Sequence, residues 1–210
     1  MYDCAVSNLP ALVHAQSLVV QQQKEMLEVF TDFETANRYT IMDPNGRTVL
    51  HAAETSEGAM AFLSRSFLKA KRPFTMRLAD PAGTVVFTLQ RPWNWFFSEI
   101  HVRDASGQNL GMIDQRFAFF ARKFAVLGPN GDELAELHGP FFRPWTFKVL
   151  KGGQEVGAIK KKWSGLMKEA FTDADNFGLE LGPAMDPQLR SLVLAATFLI
   201  DFLYFEDRGD

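Results

Sequence analysis

Cysteine is nearly absent, Cys4 being the only one. A single thiol forms no internal disulfide, no paired-cysteine redox motif and no multi-thiolate zinc site, and it suits a reducing, intracellular location. Charge of one sign is also scarce. There are 22 Lys and Arg against 25 Asp and Glu, a net of −3, so no basic excess points to a nucleic-acid partner. The start, Met1-Tyr-Asp-Cys4, shows no basic stretch leading into an apolar one, and no secretory leader is expected. No GxSxG, P-loop, HExxH or GxGxxG sequence occurs, and the histidines at 14, 51, 101 and 138 fall in no ligand spacing. No catalytic residue is assigned, and the chain is not expected to be an enzyme.

Aromatic side chains are plentiful instead. Twenty Phe, four Trp and three Tyr must be buried or must face something apolar. A chain of 210 residues fits one domain with a substantial core. The expected organisation is a weakly ordered lead-in over 1–17, with Pro10 as a breaker, one domain over 18–206, and a tail over 207–210. The segment 18–30 suits either a helix or a strand by its apolar positions.

From Asn37 onward, turn signals recur: Asp43-Pro-Asn-Gly46, Asp80-Pro-Ala-Gly83, Asp104-Ala-Ser-Gly107, Gly128-Pro-Asn-Gly131 and Lys151-Gly-Gly153. Each places Gly where a hairpin needs a positive φ. The interval from Gly83 to Gly107 equals that from Gly107 to Gly131, and each holds two strands and a connector. The spacing reads as an antiparallel meander of about ten strands, whose exposed edges closure into a barrel would remove.

The last element reads as a helix over 187–205, with Asp186 as N-cap and Pro187 at its first position. It would be about 28 Å long. Leu192, Leu194, Phe198, Ile200 and Phe202 lie all around it, so it is buried in protein or in lipid. Arg190 and Asp201 bound its uncharged part, and an Asp inside a lone span costs roughly 2.5–3.5 kcal/mol. Burial as a barrel core is therefore favoured over a membrane span.

Several segments carry a family resemblance. They are Asp32-Phe-Glu-Thr35, Asn37-Arg-Tyr39, Arg72-Pro-Phe74, Leu89-Gln-Arg-Pro92, Lys160-Lys-Lys-Trp163-Ser-Gly165, Phe171-Thr-Asp173-Ala-Asp175-Asn176-Phe-Gly178 and Leu199-Ile-Asp201-Phe-Leu-Tyr-Phe205-Glu206. In this order they resemble the phospholipid scramblase family, over nearly the whole chain. The resemblance favours strand at the ends of 18–30. It implies a mainly β fold: a closed antiparallel, tubby-like β-barrel of about 12 strands around a central hydrophobic C-terminal helix. It also implies a calcium-binding segment that Asp173, Asp175 and Asn176 match.

By the residues alone, Asp173 and Asp175 stand at the first and third positions of an EF-hand-like loop, with Gly178 at the sixth. Phe177 occupies the fifth position and Ala184 the place of the bidentate Glu, so Asp186 or Glu180 would have to complete the set. A structural turn rich in Asp, Asn and Gly is the other reading.

The connectors opposite the Gly turns mix large rings with cations. They supply Arg91, Trp93, Trp95, Phe96 and Phe97; Arg116, Phe119, Phe120, Arg122 and Lys123; and Phe141, Phe142, Arg143 and Trp145. Family members often carry cysteine clusters in such connectors, suited to acylation, and bulky aromatics would substitute for those anchors here. Rings settle at the headgroup level and Arg pairs with lipid phosphate, so this rim is expected to face an anionic membrane. The alternative is a plug for the barrel end. Lys69-Ala-Lys71-Arg72 and Lys160-Lys-Lys162 would attract headgroups, act as a nuclear signal, or simply be solvated.

The resemblance implies membrane-associated phospholipid binding and calcium-dependent, ATP-independent movement of phospholipids between leaflets. The expected partner is a phospholipid membrane surface, at its cytoplasmic face. The rival expectation is a soluble tubby-like module that binds a phosphoinositide, an acyl chain or a protein partner and transports nothing.

Overall fold

The computed structural model describes residues 10–23, 37–55, 73–161 and 176–205. A short helix α1 (Pro10–Val13) is followed by β1 (Ser17–Gln23), β2 (Arg38–Met42), β3 (Thr48–Thr55), β4 (Phe74–Ala79), β5 (Val85–Arg91), β6 (Glu99–Asp104), β7 (Asn109–Arg116), β8 (Ala121–Leu127), β9 (Glu133–Pro140), β10 (Thr146–Lys151), β11 (Gln154–Lys161) and β12 (Asn176–Leu181), and the described chain closes with helix α2 (Pro187–Tyr204). Among the described residues twelve antiparallel strands pair in chain order, and β1 pairs with both β2 and β12. The sheet is therefore a closed barrel with no free edge.

The turns explain the meander. Asp80 accepts from the backbone N–H groups of Ala82 and Thr84, both at 2.9 Å, and Asp43 does the same for Asn45 and Arg47. The glycine closing each turn has a φ of about +80°, as at Gly83 (87°). Asp104 is buried and accepts from Ser106 N, Ser106 Oγ and Gln108 N at 2.7–2.9 Å.

Period-two alternation does the rest. In β4, Phe74, Met76 and Leu78 point inward while Thr75 and Arg77 do not. The inward residues meet α2, which occupies the interior. Leu192, Leu194, Phe198, Ile200 and Phe202 are all buried, as is every position from Leu189 to Phe202. No helix among the described residues is long and apolar enough to cross a membrane.

The helix starts as expected: Asp186 Oδ1 accepts from Leu189 N at 2.8 Å, with Pro187 at the first position. It ends one residue early, at Tyr204, and Phe205 is its C-cap.

The lead-in differs from the expectation. Pro10 opens α1 rather than breaking order, because the first turn of a helix needs no N–H there. Leu12 is buried in the core. Buried Arg190 of α2 ties this segment down, donating to the carbonyls of Ala15, Met185 and Gly182. Burial lowers the Arg190 pKa, and Asp186 opposes that shift. The strand half of 18–30 is real as far as Gln23, and residues beyond it lie outside those described.

Candidate functional site

The two ends of the barrel differ in chemistry. One end carries the five Asp/Asn/Gly turns and the start of α2, where Lys151 Nζ lies 3.8 Å from Asp186. The other end carries the links β5–β6, β7–β8 and β9–β10, which adjoin because their strands do.

Every exposed large hydrophobic side chain among the described residues lies on these three links. Phe96 is 90% exposed, Phe120 86%, Phe119 82% and Phe142 81%, and Trp95, Phe97, Phe117 and Phe141 project as well. Phe117 shares its link with Phe119 and Phe120 and is exposed with them. The rings cluster: Phe117 and Phe119 meet edge to face at 4.9 Å, as Trp93 and Trp95 do at 5.8 Å.

Other aromatics close the barrel end. The Trp145 ring stacks on Phe205 at 5.7 Å, and Phe205 meets Phe177 and Tyr204. Tyr204 accepts a hydrogen bond from Gln115 Nε2 at 3.3 Å. Burial raises its pKa, opposed by Arg122 and by that hydrogen bond. Some rings thus project while others close the barrel end, and Trp145, exposed yet stacked on Phe205, does both.

The cations depart from the expectation. Arg91, expected to face lipid, is buried. It donates to Ser98 Oγ at 2.8 Å and lies 4.6 Å from the centre of the Phe202 ring. Arg122 donates to the carbonyls of Pro144 and Arg143 and lies over the rings of Phe147 and Tyr204, at 4.4 and 5.1 Å. Both are drawn inward because a guanidinium satisfies orphan carbonyls and stacks on rings at once. Lys123 pairs with Glu136 at 3.0 Å, and Arg116 with Asp114 at 3.2 Å. Arg143 remains exposed at its link.

The basic run is not an open patch either. Lys160 pairs with Glu180 on the neighbouring strand. Lys161 turns inward, 3.7 Å from buried Asp201 and 4.1 Å from the centre of the Phe205 ring. Asp201 also accepts from Tyr39 Oη at 2.7 Å. The acid that interrupts the apolar helix is thus answered inside the barrel. Lys162 and residues 69–72 lie outside the described residues.

The expected metal set does not assemble as one site. Asp173 and Asp175 lie outside the described residues. Asn176 begins β12 at the aromatic end, whereas Asp186 caps α2 at the opposite end, so Asp186 is removed from the set. Glu180, its alternative, is held by Lys160. Gly178 is no loop glycine, since it pairs within β12 between Val19 and Lys160. Among the described residues, no donor reaches Oδ1 of the buried Asn176, which suits an oxygen ligand to a cation. No group of three or more His, Cys, Asp or Glu suited to a metal occurs among the described residues.

The Scramblase family description matches residues 3–207. The chain belongs to the phospholipid scramblase family. It is 34% identical to phospholipid scramblase 1 of Mus musculus over 96% of this chain. It is 33% identical to phospholipid scramblase 1 of Homo sapiens and to phospholipid scramblase 2 of Bos taurus, each over 96% of its length. The chain spans about two thirds of these relatives: 65% of the mouse protein, 66% of the human and 73% of the bovine. This scramblase-family chain is thus a closed barrel filled by its C-terminal helix, with rings at the rim of one end.

Proposed function

We propose that this chain binds phospholipid bilayers through its aromatic rim and moves phospholipids between leaflets without ATP and without covalent chemistry. The observation that carries the membrane half is that, among the described residues, all exposed large rings lie on three adjacent links at one barrel end. The transport half is supported by the relatives, which are named phospholipid scramblases. The proposed location is the cytoplasmic face of a membrane, in keeping with a single cysteine. Calcium is part of the proposal, held by Asp173 and Asp175 together with the open Oδ1 of Asn176. Carboxylates and an amide oxygen are the hard donors such an ion takes.

A second reading is favoured by a specific observation. With α2 buried in the barrel, no described helix offers a bilayer-spanning path. On that reading the protein is a peripheral lipid-binding module without transport. Reconstitution of the full chain into liposomes with a leaflet-exchange assay separates the two. Exchange of labelled lipid above that of empty liposomes, stimulated by calcium and unstimulated in Asp175→Ala, supports transport and the ion. Binding with no exchange sinks the transport half and leaves the module.

A further inference from the structure

We infer that the aromatic rim enters the interfacial zone of a zwitterionic phospholipid bilayer by burying its rings, with no requirement for anionic lipid. The inference rests on the membrane-binding reading above and concerns what that surface selects. It departs from the expectation of an anionic membrane, for which Arg91, Arg116, Arg122, Lys123 and Arg143 supplied the cations.

Four of these cations, all but Arg143, are engaged by the protein itself. Arg91 lies under the rim against Ser98 and Phe202, and Arg122 holds the β9–β10 link by two of its carbonyls. Lys123 and Arg116 answer Glu136 and Asp114. The links 92–98 and 117–120 contain no charged residue, and the link 141–145 contains Arg143 alone.

The three internal segments outside the described residues nearly balance by sequence. Residues 24–36 hold four acids and one lysine, 56–72 hold four bases and one acid, and 162–175 hold two lysines and three acids. With a net charge of −3, the chain has no basic excess to concentrate it on an anionic surface.

What is left is apolar. Among the described residues, seven of the nine projecting rings are Phe, with Trp95 and Trp145 beside them. A protein partner would be met by hydrogen-bonding groups at regular intervals and a polar border. Here the links offer little beyond Asn94, Arg143 and three indole N–H groups. Rings on the tips of three links suit the headgroup–acyl boundary, where apolar bodies are buried and indole N–H groups stay wet. The opposite end, with its Asp, Asn and Gly turns, stays in water, so the barrel stands with its aromatic end down.

Flotation of the full chain with liposomes, in chelator, tests this. One set is phosphatidylcholine alone; the other has phosphatidylserine added. Binding to the two is expected to agree within about twofold, and to hold within about twofold between about 0.05 M and about 0.5 M salt. Arg143→Gln is expected to change nothing beyond that margin. The combined Phe96→Ser, Phe119→Ser, Phe120→Ser and Phe142→Ser variant, its fold checked by circular dichroism, is expected to bind at least about tenfold more weakly. Binding only to the phosphatidylserine set, weakening with salt, overturns the inference and leaves membrane binding standing. Flotation with neither set overturns both. If the four-ring variant does not fold, the lipid and salt comparison with Arg143→Gln still decides.

Discussion

Lys161 and Asp201 are the residues whose sequence context misleads most. One sits in a basic run, the other interrupts an apolar helix, and both are buried within 3.7 Å of each other. Tyr39 and the ring of Phe205 complete the cluster. A charge in this setting is tolerated only with its partner, because desolvation exceeds what an unpaired ion recovers. Asp201→Ala is therefore expected to destabilise the fold by about 3–5 kcal/mol in urea denaturation. Lys161→Met combined with Asp201→Leu is expected to recover most of that loss. If the double variant were as unstable as the single one, the pair would matter for shape and not for charge. The arginines teach the same lesson. A guanidinium beside rings in a sequence marks both lipid-facing and plug-forming positions, and Arg91 and Arg122 prove to be the latter.

At the scale of elements, the hairpins are the part most directly encoded. An Asp that accepts two backbone N–H groups and a Gly at positive φ define the turn without help from the core. Asp104 is the buried instance, with three bonds. Asp104→Ala is expected to cost about 2 kcal/mol in thermal or urea unfolding, since three donors lose a charged acceptor. A cost near zero would mean the turn is held by its strands and not by this carboxylate. The strand partners followed from this spacing, because consecutive hairpins have only one simple arrangement. The short α1 did not: Pro10 in isolation reads as a stop, and only Arg190 reaching the Ala15 carbonyl from α2 turns the lead-in into a packed segment.

For the whole molecule, α2 and the sheet depend on each other. The strands' inward faces are apolar around the circuit, and the helix is apolar on all sides, so neither is stable in water alone. A chain ending after Leu181 is expected to lose cooperative unfolding and to bind hydrophobic dyes, measured by circular dichroism and dye fluorescence. A cooperative transition in that truncated chain would show that the barrel fills itself by other means. The molecule is also polar along its axis, with hydrophilic turns at one end and projecting rings at the other. That asymmetry distinguishes the two ends of the barrel, and no single link would have revealed it.

The amino-acid sequence by itself determined the hairpin periodicity, the capped terminal helix and the absence of covalent catalytic motifs, because each depends on residues near one another in the chain. It also marked which links would carry rings. Only the tertiary structure decided which rings project and which plug, and which cations are free. Those outcomes depend on partners far apart in sequence, such as Tyr39 with Asp201 and Trp145 with Phe205. It likewise removed Asp186 from the candidate ion site, since β12 separates Asn176 and Asp186 to opposite ends of the barrel. A side chain's charge is legible in sequence, but its burial is a property of the closed surface, and burial decides whether that charge faces a lipid or the core.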